Sequence, residues 1–184
     1  ARRTLTVPLM PPISLVNQLS VAAFNRLYYH LPRPVRGLTP YPPFFYPLDH
    51  LQEWNRLYGR RGFFQYQCVI PPDHARAALL EMLARIAASG QGSMLAVLKR
   101  FGNQVSGGLL SFPRPGVTLA LDFPNQGQKT LDLLDRLDEV TRQASGAVYP
   151  AKDARMNGAS FRQYFPRWAE FSRFIDPRFS SSLW

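Results

Sequence analysis

Two segments of alternating apolar residues constrain the fold of this chain most strongly. In residues 63–70 every even-numbered position is apolar, whereas Gln65 and Gln67 occupy the opposite face. In residues 117–123 the odd-numbered positions are apolar, and Thr118, Ala120 and Asp122 alternate with them. A period of two residues is typical of a strand with one buried face. The sequence therefore predicts two strands, each of which presents one apolar side to a core.

Two further segments repeat their apolar residues at helical spacing. One follows the Pro71-Pro72-Asp73 sequence, where Asp73 is a candidate N-cap, and ends at Gly90. The other spans about residues 128–144 and ends at Gly146. Both segments predict amphipathic helices that cover the apolar side of a sheet.

The remaining regular segments add three strands and a helical tail to the prediction. We expect strands over residues 93–101, 105–112 and 147–149, and a helical tail over residues 155–174 that is split near Pro166. The links between the middle strands are short, which favours antiparallel pairing. The predicted fold class is α+β: a mainly antiparallel sheet with helices packed on one face.

Prolines mark off the first part of the chain. Nine of the 17 prolines lie before residue 48. Because proline lacks a backbone donor, this region is unsuited to a sheet interior. We interpret residues 1–43 as a connecting arm with one helix at about residues 15–29, and residues 44–184 as the main domain.

Composition excludes several classes of site. Cys68 is the only cysteine and the three histidines are far apart, so neither a disulfide framework nor a metal site is predicted. The net charge is +10, and only three of the 22 basic residues are lysines. Arginine suits bidentate contacts to phosphate or carboxylate, but a solvated basic surface has the same composition. The chain contains no run of 18 apolar residues, so the sequence predicts no membrane-spanning segment.

Self-contained catalytic motifs are absent: the chain has neither a Gly-rich phosphate loop nor a G-x-S-x-G elbow. Chemistry in this chain would therefore use a cofactor bound elsewhere. Polar residues within the apolar strands are the candidates, although each also has an ordinary surface interpretation. Gln65 and Gln67 point the same way, Lys99 ends the apolar run of residues 94–98, Asp122 interrupts a strand, and Lys152 follows a strand end and a proline turn.

Several ungapped blocks, in order, resemble a known family. They are Phe45-Tyr46-Pro47-Leu48-Asp49, Gly62-Phe63-Phe64-Gln65-Tyr66-Gln67-Cys68-Val69-Ile70-Pro71, Val97-Leu98-Lys99-Arg100-Phe101-Gly102, Leu110-Ser111-Phe112-Pro113, Leu121-Asp122-Phe123-Pro124 and Tyr149-Pro150-Ala151-Lys152-Asp153-Ala154-Arg155. From about residue 44 onward the chain resembles the C-terminal part of the decaprenylphosphoryl-β-D-ribose 2′-oxidase family, which are FAD-linked oxidases of the vanillyl-alcohol-oxidase superfamily.

The resemblance implies a two-domain enzyme whose FAD-binding domain is absent from this chain. Residues 44–184 would be the substrate-binding (cap) domain that lies over the flavin. Matching positions imply that Lys152 is catalytic, that Gln67, Tyr149 and Lys152 contact FAD, and that the substrate is bound by Gln65, Gln67, Lys99, Asp122 and Tyr149. The implied reaction is oxidation of a secondary alcohol to a ketone, with hydride passing to the flavin.

These implications set the expected partners and location. The expected substrate is a sugar or a lipid-phosphate-sugar, and the expected protein partner is the chain's own FAD domain. We expect a cytoplasmic protein with peripheral contact to the inner membrane, no nucleic-acid binding, and no activity of this chain alone. Two alternatives remain: a fragment of an aldonolactone or sugar-alcohol oxidase, and a basic module that binds polyanions.

Overall fold

The computed structural model describes residues 5–31, 37, 38, 40, 41, 45, 46, 51–152 and 155–179. The strands are β1 Leu5–Thr6, β2 Leu51–Gln52, β3 Phe63–Ile70, β4 Ala96–Phe101, β5 Gly116–Pro124 and β6 Ala147–Val148. The α-helices are α1 Gln18–His30, α2 Pro72–Ser89, α3 Gln128–Gln143, α4 Gly158–Tyr164 and α5 Trp168–Phe171. Short 3-10 turns span Trp54–Tyr58, Ser172–Phe174 and Pro177–Phe179.

The main sheet has four strands in the order β4-β5-β3-β6, and every pair is antiparallel. The register places Tyr66 opposite Leu121 and Cys68 opposite Leu119. Because directly opposed residues lie on the same side of a sheet, the apolar positions of β3 and β5 form one continuous face. A second, smaller sheet pairs β1 with β2 in parallel.

Helices α2 and α3 cover the apolar face. The hydroxyl of Tyr66 lies 2.9 Å from Thr141 Oγ1 on α3, and Cys68 Sγ lies 3.9 Å from Met82 Sδ on α2. Leu133, Leu134 and Leu137 of α3 are almost fully buried against this face. The predicted α+β class is therefore confirmed, as is the packing of these two helices on one face of the sheet.

The predicted third strand over residues 105–112 is wrong. This segment is part of the loop between β4 and β5, which pair with each other directly. Gly107 and Gly108 weaken a strand there, since glycine contributes no cross-strand contact. The strand predicted to begin at residue 93 begins instead at Ala96, because the side chain of Ser93 accepts the hydrogen bond from the Asp122 N–H that a strand carbonyl would otherwise accept.

Asp73 does not cap α2, contrary to the prediction. The helix begins at Pro72, and Pro71 occupies the N-cap position without a side-chain hydrogen bond. Proline is well suited to the first helical position, where its missing N–H has no intrahelical partner. Asp73 lies in the first turn, where its negative charge interacts favourably with the positive end of the helix dipole. The predicted stop at Gly90 is confirmed, with φ at 69°.

The predicted arm helix forms as α1, which begins three residues later than expected and ends one residue later. The Asn17 side chain accepts hydrogen bonds from the N–H groups of Leu19 and Ser20, and Ser20 Oγ accepts one from the Asn17 N–H, which completes a capping box. No residue of α1 is buried. The predicted domain boundary at residues 43 and 44 lies outside the described residues, and the division stays a prediction.

Candidate functional site

The face of the sheet opposite α2 and α3 collects the polar residues singled out by the sequence. Register places Gln65 opposite Asp122 and Lys99 opposite Thr118. The Tyr149 N–H donates to the Gln67 carbonyl over 2.8 Å, which continues the pairing of β6 with β3. Alternation along the strands therefore brings residues from all four strands to one face, called the polar face below.

A hydrogen-bonded chain of three side chains runs along the polar face. The ammonium of Lys152 donates to Gln65 Oε1 over 3.1 Å, and Gln65 Nε2 donates to Asp122 Oδ1 over 3.1 Å. The glutamine amide is thus oriented by charge: its oxygen faces the cation and its nitrogen faces the carboxylate. A reversed amide would set like partial charges against each other at both ends.

The carboxyl of Asp122 is buried, and its surroundings decide its charge. Burial raises the pKa of Asp122, whereas the hydrogen bond from Gln65 and the charge of Lys152 lower it; burial has the largest effect. Its second oxygen, Oδ2, is buried without a hydrogen-bond partner among the described residues. The site therefore holds a carboxyl group whose protonated form is favoured relative to an exposed aspartate.

Tyr58 closes one side of this arrangement. Its hydroxyl donates to the backbone carbonyl of Asp122 over 3.4 Å. Burial and the nearby Asp122 charge both raise the pKa of Tyr58 above its ordinary range, so the phenol stays neutral at physiological pH. Tyr58, at the end of the 3-10 turn Trp54–Tyr58, is itself buried beside Asp122.

The other predicted residues lie beside this chain. Gln67 Nε2 donates to Thr118 Oγ1 over 3.1 Å, so the side-chain oxygen Oε1 of Gln67 is left to accept a hydrogen bond. The side chain of Lys99 is exposed at the edge strand. The ring of Tyr149 stacks on Phe112, with centroids 4.5 Å apart. The structure therefore brings the predicted residues to one face. Among the described residues, the side-chain hydrogen bonds between them are those that join Lys152, Gln65 and Asp122, whereas Tyr149 is linked to Gln67 and Lys152 through the backbone.

Sequence reasoning missed the residues that support this site. Thr118 was visible as a polar position on the same face as Asp122, and the alternation of β5 could have identified it. Tyr58, Ser93 and Phe112 reach the site from irregular segments, which have no periodic signal. Their contribution depends on how loops fold over the sheet, and spacing in the sequence does not report that.

Neither a metal site nor a membrane-spanning helix is found in the part of the chain that the structure describes. No group of three His, Cys, Asp or Glu residues there could hold a metal ion. None of the described helices is long and apolar enough to cross a membrane. The polar face instead presents side-chain amides and the ammonium groups of Lys99 and Lys152, which suit a ligand rich in oxygen or a polar ring edge.

An α+β domain with one helix-covered face and one polar face is the class that the fold and the site define. Sequence comparison then identifies a relative: over 186 aligned positions the chain is 35% identical to decaprenylphosphoryl-β-D-ribose oxidase of Mycolicibacterium smegmatis. The aligned region covers 96% of this chain. The resemblance inferred from the sequence blocks is thereby confirmed, and the chain is homologous to a part of that oxidase.

A second relative is also matched, and the chain spans only part of the length of both relatives. The chain is 32% identical over 127 residues to an uncharacterized protein from the mprA 5′ region of Streptomyces coelicolor, which covers 66% of this chain. The chain spans 39% of the first relative's length and 34% of the second's. No protein-family model matches the chain.

Proposed function

We propose that this chain is the substrate-binding part of an FAD-dependent oxidoreductase that oxidises a secondary alcohol of a sugar or sugar-phosphate-lipid to a ketone. The observation that carries the proposal is the chain from Lys152 through Gln65 to the buried Asp122 on the polar face. The similarity to an oxidase whose name specifies a decaprenylphosphoryl ribose supports the substrate class.

The polar face fits a flavin in its donor chemistry. The pyrimidine edge of a flavin carries carbonyl oxygens and ring nitrogens, and Lys152 and the side-chain amide of Gln67 are groups of the kind that bind such an edge. Tyr149 adds an aromatic surface beside them. FAD, when bound, supplies the hydride acceptor for the carbinol carbon, and we propose that a domain outside this chain holds most of the cofactor.

The residues of this chain would orient the alcohol and stabilise charge. The Lys152 ammonium would donate to the oxygen of the reacting alcohol and stabilise negative charge that develops on it. Gln65 would hold that ammonium in place, since its own orientation is set by Asp122. Lys99 and Gln67 would bind further hydroxyl oxygens of the substrate.

A chimeric oxidase tests this assignment. The matching part of the M. smegmatis oxidase is replaced by this chain, and the visible flavin band is followed after anaerobic addition of a decaprenylphosphoryl sugar or a free sugar alcohol. We expect bleaching by the lipid-linked sugar. Bleaching by free aldonolactones or sugar alcohols alone would instead assign the substrate to those classes, and a chimera that binds FAD yet is reduced by neither would contradict the proposal.

Removal of Lys152 should slow flavin reduction in that chimera by roughly 10²-fold or more, because a positioned charge-stabilising group contributes about that factor. The control is Lys129→Ala, which removes a lysine from α3, on the opposite side of the sheet. Stopped-flow reduction of Lys152→Ala and Lys129→Ala is the measurement. Equal rates in the two variants, with FAD bound in both, would remove Lys152 from the mechanism.

A further inference from the structure

A cavity of about 360 Å³ lies between the β4–β5 loop and residues 164–167. Among the described residues, its lining includes Arg114 and Arg167 but no aspartate or glutamate. Ser106 and Ser111 add hydroxyl groups, and Val105, Leu109 and several prolines supply apolar wall. A cavity with cations, hydroxyl donors and an apolar wall suits an anion that carries an apolar group.

Arg114 is the central cation of this cavity. Its Cζ atom lies 5.5 Å from the centroid of the Phe165 ring, and its Nε and Nη2 atoms donate to the carbonyls of Phe112 and Ser111. These contacts fix the plane of the guanidinium and leave Nη1 for another acceptor. Within the described ranges no carboxylate forms an ion pair with Arg114, although the group is half-buried. A partly desolvated cation without a counter-ion favours an incoming anion.

A second polar cavity shows the contrast. Near α3, a cavity of about 260 Å³ also contains two arginines, but Asp135 and Asp138 line it as well. Arg155 there is paired with both carboxylates, at 2.6 and 3.2 Å. In the part of the chain that the structure describes, the arginines of one cavity are thus neutralised by carboxylates of its lining, whereas the lining of the other cavity supplies no carboxylate. Arg167 contributes less, since it is exposed and paired with Glu170.

The Arg114 cavity adjoins the polar face through one aromatic ring. Arg114 donates to the backbone of Phe112, and the Phe112 ring stacks on Tyr149. We infer that the Arg114 cavity binds the phosphate of a phosphate ester of an apolar alcohol, with the guanidinium on the phosphate oxygens and the apolar wall against the first carbons of the alcohol. This inference deepens the proposed function and rests on it only for the identity of the natural substrate.

Binding to the 184-residue chain tests the inference without flavin or sugar. Geranyl phosphate, inorganic phosphate and geraniol are titrated separately, and backbone amide shifts of residues 103–115 are followed by NMR. We expect geranyl phosphate to bind at least tenfold more tightly than either fragment, since it combines the anion with the apolar group. Equal affinity for inorganic phosphate would overturn the assignment to an apolar ester, and equal affinity for geraniol would overturn the role of the anion.

Two sets of variants locate the site. Arg114→Met should weaken geranyl phosphate binding at least tenfold, whereas Arg100→Met, at an exposed arginine of β4, should not. Val105 is 85% exposed at the cavity, so Val105→Asp can place a negative charge there without disturbing the core, and Val105→Asn is its neutral control. Weaker binding in the Asp variant alone supports the inference. Unchanged binding in both Arg114→Met and Val105→Asp would overturn it, even if Lys152 proves essential in the chimera.

Discussion

Helices α1 and α3 are of similar length and both carry large apolar side chains, but they use them differently. In α3 six residues are buried, and Leu133 and Leu137 are completely inaccessible to solvent. In α1 no residue is buried, and Leu19 is 82% exposed. The difference shows that α3 is stabilised by the sheet beneath it, whereas α1 depends mainly on its cap and on local contacts.

The apolar surface of α1 has a consequence for the proposed function. Phe24, Leu27 and Tyr28 are all more than half exposed on this helix. Contiguous exposed apolar side chains are typical of surfaces that pack against another domain. In the proposed function, this surface would be available to the domain outside this chain that holds the FAD.

The largest expected effect separates the two helices directly. Leu133→Ala should lower the free energy of unfolding by about 2–5 kcal/mol, because it leaves a cavity in a packed core. Leu19→Ala should change it by less than about 0.5 kcal/mol, as is usual for exposed positions. Urea unfolding of the two variants measures both values. A loss at Leu19 comparable to that at Leu133 would mean that α1 is packed in solution.

An intermediate effect tests how the segment before α1 rests on the sheet domain. Gly59 and Gly62 both have positive φ, but a Cβ at Gly59 would lie 2.8 Å from the Ile13 carbonyl carbon, whereas a Cβ at Gly62 would meet nothing within 4 Å. Each alanine variant should lose about 1 kcal/mol from backbone strain. Gly59→Ala should lose more, because residues 11–13 must move and because a ψ of −172° at Gly59 belongs to a backbone region that only glycine adopts readily.

Thermal unfolding and limited proteolysis of the glycine variants measure this difference. We expect cleavage within residues 5–31 to accelerate in Gly59→Ala but not in Gly62→Ala, which is the control for strain alone. The same loss of stability and the same cleavage rate in both variants would show that the segment does not rest on Gly59.

The smallest expected effect concerns the polar face. There the burial of the ionised Asp122 carboxylate lowers the free energy of unfolding. Burial raises the pKa of Asp122 above its ordinary value of 3.8, so folding is favoured at low pH and this contribution is lost as pH rises through the folded-state pKa. Asp122→Asn removes the charge but keeps an acceptor for Gln65. It should therefore be more stable than the parent chain at neutral pH. This advantage shrinks as pH falls through the folded-state pKa of Asp122 and is gone once the aspartate is protonated in both the folded and the unfolded chain.

Melting temperatures across pH, with Asp132→Asn on the exposed side of α3 as control, measure this effect. A control that matched the Asp122 variant would assign the change to net charge. An Asp122→Asn variant less stable than the parent at neutral pH would show that the attraction of Lys152 and the bond from Gln65 outweigh burial.

The sequence by itself determined the elements whose residues repeat with a fixed period. Strands β3 and β5 and helices α2 and α3 lie close to where alternation and helical spacing predict them, since burial on one face imposes those periods. The α+β class follows from their order. The likeness to an oxidase likewise follows from ordered blocks of residues, and the comparison with the M. smegmatis enzyme confirms it.

Only the tertiary structure decided how those residues meet. It replaced the strand predicted over residues 105–112 by a loop that carries Phe112 and Arg114, and it joined Lys152, Gln65 and Asp122 across 87 residues of sequence. It also left α1 without a buried face. Loop paths and side-chain contacts between distant segments depend on packing over the whole sheet, and a local period in the sequence carries no information about them.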